Sequence, residues 1–150
     1  MSVIYENMTI NILFAVDGSS GSLRAARTFV EHLRMLRGKP KVHMLHVHPP
    51  LPIGLAFKHL PREALDRHYQ EEGEAALEKS QSLLAEAGIT VISHIHVGPP
   101  AQTILQQAVT LKCSWIALGR NGHGVMSPFS LGSIAARVLQ TSEIPVVLFP

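Results

Sequence analysis

Residues 10–18 read INILFAVDG, an almost unbroken apolar run that stops at an Asp-Gly pair. Short continuous runs of this kind suit a strand buried on both faces, as in a parallel sheet. Beyond it, Leu23, Ala26, Arg27 and Val30 to Leu33 follow helical spacing, and Gly38-Lys39-Pro40 stops that helix. Val42 to Val47 (VHMLHV) reads as a second strand, closed by Pro49-Pro50. Residues 51–60 (LPIGLAFKHL) form an irregular connection whose apolar side chains must cover something. Pro61 to Ala87 is a long helical stretch with Gly88 at its C-terminal cap. Thr90 to Val97 is the third strand, and residues 101–112 form a helix with Ile104, Leu105, Ala108 and Leu111 on one side. Trp115 to Leu118 is the fourth strand, Leu131 to Gln140 the last helix, and Pro145 to Phe149 the fifth strand.

Strands that alternate with helices build parallel units with right-handed crossovers. The expected architecture is therefore one α/β domain over residues 1–150. It is an open, doubly wound, five-stranded parallel sheet with helices on both faces, Rossmann-like. Sheets of this kind bind ligands beyond the carboxyl ends of their strands, where the strand order reverses.

Composition narrows the function classes. The chain has 150 residues, 46% hydrophobic and 16% charged, which suits a packed globule and argues against disorder. A net charge of +2 is too mild for a nucleic-acid partner, which needs a clustered basic face. The lone Cys113 excludes an internal disulfide and fits a reducing compartment. The opening MSVIYENMTI has no basic residue followed by an apolar run, so no signal peptide is expected. No segment approaches 18 consecutive apolar residues, and no membrane partner is expected. A soluble, cytoplasmic protein follows.

The chemistry concentrates at residues 119–133, GRNGHGVMSPFSLGS, which hold Gly119, Gly122, Gly124 and Gly132. This segment leaves the carboxyl end of the fourth strand and enters the last helix. Gly119 and Gly122 let the backbone bend and expose N–H groups. Gly132 and Ser133 are expected in the first helical turn, where N–H donors are open and the dipole favours an anion. Ser133 adds a hydroxyl. A triphosphate can rest there on backbone amides without a lysine. The segment lacks GxxxxGK[ST], so it is not a P-loop, and no GxGxxG follows the first strand.

With these residues in place the chain resembles the universal stress protein family. G-x2-G-x9-G-S is similar to the signature of that family's ATP-binding branch. The likeness extends through AVDGSS after strand one, LHV closing strand two, VGPPAQTI after strand three, and IPVVLF at the end. The resemblance implies that Asp17 contacts the adenosine end and that the Val47 backbone pairs with the adenine edge. It also places Gly119 beside the ribose and Gly122, Gly132 and Ser133 on the phosphates. The flanking Ala15, Val16, Leu118, Arg120, Asn121, His123 and Ile134 complete the candidate set. The expected ligand is ATP, with any Mg²⁺ held by its phosphates. Residues 123–131 carry no Lys or Arg, where many relatives have a basic residue.

Other readings fail on residues. His46 and His48 alternate onto one strand face and His94 and His96 onto another, but polar residues on an edge strand usually face water, and no metal is expected. Ser130, His123 and Asp17 lack a nucleophile elbow. A receiver domain needs an Asp after strand three, where this chain has Val97-Gly98, and a Lys near strand five, whereas no Lys follows Lys112. An ATP-pyrophosphatase would carry SGGxDS where this chain has DGSSGS. The expectation is a nucleotide-dependent stress-response module that holds ATP, a slow ATP hydrolase or a non-nucleotide family member being the alternatives. The final strand, at a sheet edge, is expected to pair with its copy in a homodimer, which also resembles the family's usual dimer.

Overall fold

A computed structural model describes residues 9–52, 54, 58–122 and 130–150. Nine elements follow one another as β1 (Thr9–Ala15), α1 (Ser20–Leu33), β2 (Lys39–His48), α2 (Arg62–Glu86), β3 (Thr90–Val97), α3 (Pro100–Thr110), β4 (Trp115–Gly119), α4 (Ser133–Thr141) and β5 (Val146–Phe149). All strand pairs are parallel, in the order β3-β2-β1-β4-β5. The order reverses between β1 and β4, so the crevice expected in a Rossmann-like sheet opens beyond the ends of these two strands.

Two hydrophobic layers sandwich the sheet, and β1 feeds both. Ile12 and Phe14 point towards α1 and α2 and Leu13 towards α3 and α4, all three with no exposed surface. This alternation is the period of two that a strand imposes. On the first face, Phe29 of α1 is the centre, its ring 4.6 Å from Phe14, 5.4 Å from Phe149 and 5.9 Å from Trp115. On the other, Leu13, Leu45, Ile116 and Leu118 pack on Ile104, Ala108, Ala135 and Val138. α1 forms because Ala25, Ala26, Phe29, Val30 and Leu33 share its buried face and Ser19 caps it, with the Ser19 Oγ accepting from the Ser22 N–H at 3.0 Å.

Three boundaries differ from the sequence reading by two residues or more. β2 starts at Lys39, so Pro40 opens a strand, where a missing N–H costs little, instead of only ending a helix. α3 closes at Thr110, with Lys112 at φ 53° in the turn after it. α4 begins at Ser133, which leaves Leu131 in the approach and makes Gly132 the N-cap. Of the 51–60 connection, residues 53 and 55–57 lie outside the described residues, and the Leu51 N–H donates to the Tyr69 hydroxyl at 3.0 Å.

Strand register separates the histidines. His43, Leu45 and Val47 of β2 pair with Ile92, His94 and His96 of β3 and share the α3 face, while His46 and His48 point to the α2 face. The four imidazoles of the alternating pattern therefore cannot converge, and the contact that forms is His43 Nδ1 to His94 Nε2 at 2.9 Å. Burial, then the His94 and Lys41 charges, lowers the affinity of His43 for a second proton. Burial, then His96, does the same to His94.

Both imidazoles bind protons less readily folded than unfolded, so the stability they contribute is present near neutrality. It is lost as pH falls through the unfolded value of about 6.5 towards the lowered folded values. The urea midpoint should drop between about pH 7 and pH 5, and drop less in His94→Asn. An equal drop in both proteins would place the acid sensitivity elsewhere.

Candidate functional site

A cleft of about 420 Å³ opens at the reversal point, within the range of small-molecule sites. It is lined by Ala15 at the end of β1 with Val16 and Asp17 beyond it, Leu45 to Pro49 at the end of β2, and Leu118 and Gly119 at the end of β4 with Asn121 and Gly122 beyond it. Gly132 to Ala135 bring in the start of α4, Ser22 comes from α1, Glu72 and Ala76 from α2, and Pro100 and Ile104 from α3.

The turn after β1 is held tightly. Gly18 has φ +78°, and a Cβ there would sit 2.9 Å from the Ala76 Cα, so only glycine satisfies both the dihedral and the packing. Asp17 does not cap α1 directly. Its Oδ1 accepts from the Ser19 N–H at 2.9 Å and the Ser19 hydroxyl at 2.5 Å, and Ser19 is the cap. The other carboxylate oxygen lies against Gly122, where any Cβ would collide with it. Asp17 thus joins the β1–α1 turn to the segment after β4.

Among the described candidates, Ala15, Val16, Asp17, Val47, Leu118, Gly119, Asn121, Gly122, Gly132, Ser133 and Ile134 all border the cleft. Arg120 does not; its side chain is exposed and its N–H donates to the Phe149 carbonyl at 2.8 Å. His123 lies outside the described residues. The Gly132 N–H is not an open donor, because it donates to the Arg120 carbonyl at 3.0 Å. Its carbonyl accepts from Ala136 at 2.9 Å, the first bond of the helical ladder. Among the described residues, that leaves the N–H groups of Ser133, Ile134 and Ala135, together with the Ser133 hydroxyl, at a helix start with no side-chain cap.

Several lining residues were not singled out from sequence. His46 donates through Nδ1 to the Val16 carbonyl, 2.8 Å away, because a carbonyl oxygen only accepts. His48 stacks edge-on with Tyr69 at 5.0 Å. Position beside Val47 was the signal for both. Glu72 and Ala76 carried none, since nothing in a 25-residue helix marks which turn meets Gly18.

The cleft is chemically polarised. Asp17 and Glu72 bring acceptors to the β1–β2–α2 side, while the α4 start brings N–H donors and the positive end of a helix dipole. Among the described residues, no group of three or more His, Cys, Asp or Glu side chains is placed to hold a metal ion, and no helix is long and apolar enough to cross a membrane. Cys113 is buried, and burial pushes its thiol up to about 11.

Fold and cleft define an α/β protein of the Rossmann-like class with an open cleft at the topological switch point. The family model described as the universal stress protein family matches residues 8–150, and the chain belongs to that family. It is 29% identical over 147 residues to a universal stress protein of Methanocaldococcus jannaschii, covering 95% of this chain and 83% of the relative. The solved structure of the hypothetical protein MJ0577 shares the fold with a TM-score of 0.77 at 24% identity, covering 98% of this chain and 96% of that one. So does the universal stress protein of Archaeoglobus fulgidus, solved in complex with dAMP, with a TM-score of 0.66 at 22% identity and coverage of 94% and 98%.

Proposed function

We propose that the chain is one domain over residues 1–150 that binds an adenine nucleotide in this cleft, with ATP as its ligand, and acts in the cytoplasm as a nucleotide-dependent stress-response module. The observation that carries the reading is the polarity of the cleft at the switch point, acceptors at one end and a helix N-terminus at the other. A nucleotide has the complementary polarity, with amino and hydroxyl donors on its nucleoside and charge on its phosphates. The Archaeoglobus relative with dAMP supports the adenine class.

In this reading Val47 offers backbone groups to the adenine edge, Asp17 and Gly119 border the ribose, and Gly122 lets the chain pass beside the phosphates. Ser133 and the N–H groups of Ile134 and Ala135 bind the nearest phosphate, and Gly132 sets the direction of that turn. Residues 119–133 contain no Asp or Glu, so a Mg²⁺ would be held by phosphate oxygens. Phosphoryl transfer needs an oriented nucleophile and charge neutralisation at the γ-phosphate. The Asp17 carboxylate is engaged by the Ser19 N–H and hydroxyl instead. The protein therefore holds ATP, with turnover well below the 1–10³ s⁻¹ range, roughly, of ordinary enzymes.

Saturating ATP at about 100 Kd should stabilise the protein by about 2.7 kcal/mol, a Tm rise of roughly 5–10 °C at this size. GTP should give a smaller rise. Equal rises would remove the adenine preference, and no rise with either would remove the nucleotide.

We further propose that two copies pair through β5. It is an edge strand, and Val147 on it is 40% exposed, an apolar edge that a monomer rarely leaves open. Val147→Glu should give monomer by light scattering; an unchanged dimer mass would move the interface to another surface.

A further inference from the structure

The cleft presents an electrostatic deficit. Its titratable lining side chains are Asp17, Glu72, His46 and His48, with no Lys or Arg among them. Residues 121–133, which run from the end of the β4 loop to the start of α4, contain neither residue type. The first phosphate of a nucleotide can be met by Ser133 and the α4 dipole. Every further phosphate adds negative charge and finds no cation in the lining.

The first turn of α1 supplies one from outside the lining. A Cβ placed on Gly21 would lie 2.7 Å from the Asn121 carbonyl oxygen, 3.5 Å from the Asn121 Oδ1 and 3.5 Å from the Arg24 Nη2. The Arg24 guanidinium and the Asn121 side chain therefore flank the same point above the first turn of α1. Asn121 itself borders the cleft and immediately precedes Gly122. Gly21 lets the segment after β4 come this close to α1, because a Cβ there would strike the Asn121 carbonyl oxygen. Arg24 is exposed and keeps the rotamer freedom to reach an anion at the mouth.

We infer that Arg24 is the phosphate-counting residue of the site: it pairs with the terminal phosphates of a nucleoside triphosphate and leaves a monophosphate essentially untouched. The inference rests on the nucleotide reading above. A guanidinium suits the task because its fork of donors matches two phosphate oxygens at once, whereas an ammonium offers a single point charge. The site would then tell ATP from AMP through a side chain on α1.

Calorimetric titration of the wild type, Arg24→Gln and Arg24→Lys with ATP and with AMP, at one fixed magnesium concentration, tests it. Arg24→Gln should weaken ATP binding roughly ten- to a hundredfold, the range for charge-assisted hydrogen bonds, and AMP binding less than about twofold. Arg24→Lys should recover part of the loss. AMP binding in each variant reports that the cleft is still folded. Loss of ATP and AMP affinity in equal measure, or no loss of either, overturns the role of Arg24 while leaving the nucleotide site standing. A wild type that binds neither nucleotide removes the nucleotide reading, and this inference with it.

Discussion

Three backbones meet around Asp17 and Gly18, and the mouth of the sheet depends on that meeting. Gly18 turns at positive φ because Ala76 of α2 leaves no room for a side chain. Asp17, one residue earlier, holds the Ser19 cap with one oxygen and lies against Gly122 with the other. The helix that follows β1, the helix that follows β2 and the segment that follows β4 are thereby fixed relative to one another. A side chain at either glycine would separate elements that the cleft needs together. Since Asp17 already satisfies Ser19, its position at the cleft is set by the fold itself, and in the proposed complex it costs no new ordering.

What keeps those backbones in register lies deeper. β1 sits between β2 and β4 and is buried on both faces, so its apolar run cannot slip by one residue without exchanging Ile12 and Phe14 for Leu13 between two differently packed layers. Phe29 ties α1 to β1, β4 and β5 through one aromatic cluster. The helix N-termini and strand ends at the cleft therefore rest on a rigid base, while the chemistry is carried by loops, the usual division of labour in open α/β sheets.

Much of this was legible in the sequence, for identifiable reasons. Doubly buried strands announce themselves as INILFAV or WIAL, and Gly88 closed α2 as a C-cap glycine does, at φ +76°. Positions at strand ends, such as Asp17, Val47 and Gly119, follow from the fold class once the strands are found. The failures also have causes. Pro40 looked like a stop signal but opens a strand, where proline is tolerated. Arg120 sits between two cleft residues in sequence yet turns outward, because its backbone is occupied by Phe149 and Gly132. The partnership of His43 with His94 required the β2–β3 register, which no local pattern encodes. Glu72 and Ala76 reach the cleft only through helix packing and were invisible for the same reason.

The central claim is that the polarity of this cleft orients an adenine nucleotide, base at β2 and phosphates at α4. A crystal structure of the chain grown with ATP measures this directly. The account predicts the adenine edge within hydrogen-bond distance of the Val47 backbone and a phosphate on the Ser133 hydroxyl and the first N–H groups of α4. A nucleotide bound the other way round or at another surface, or an empty cleft at saturating ATP, would contradict it.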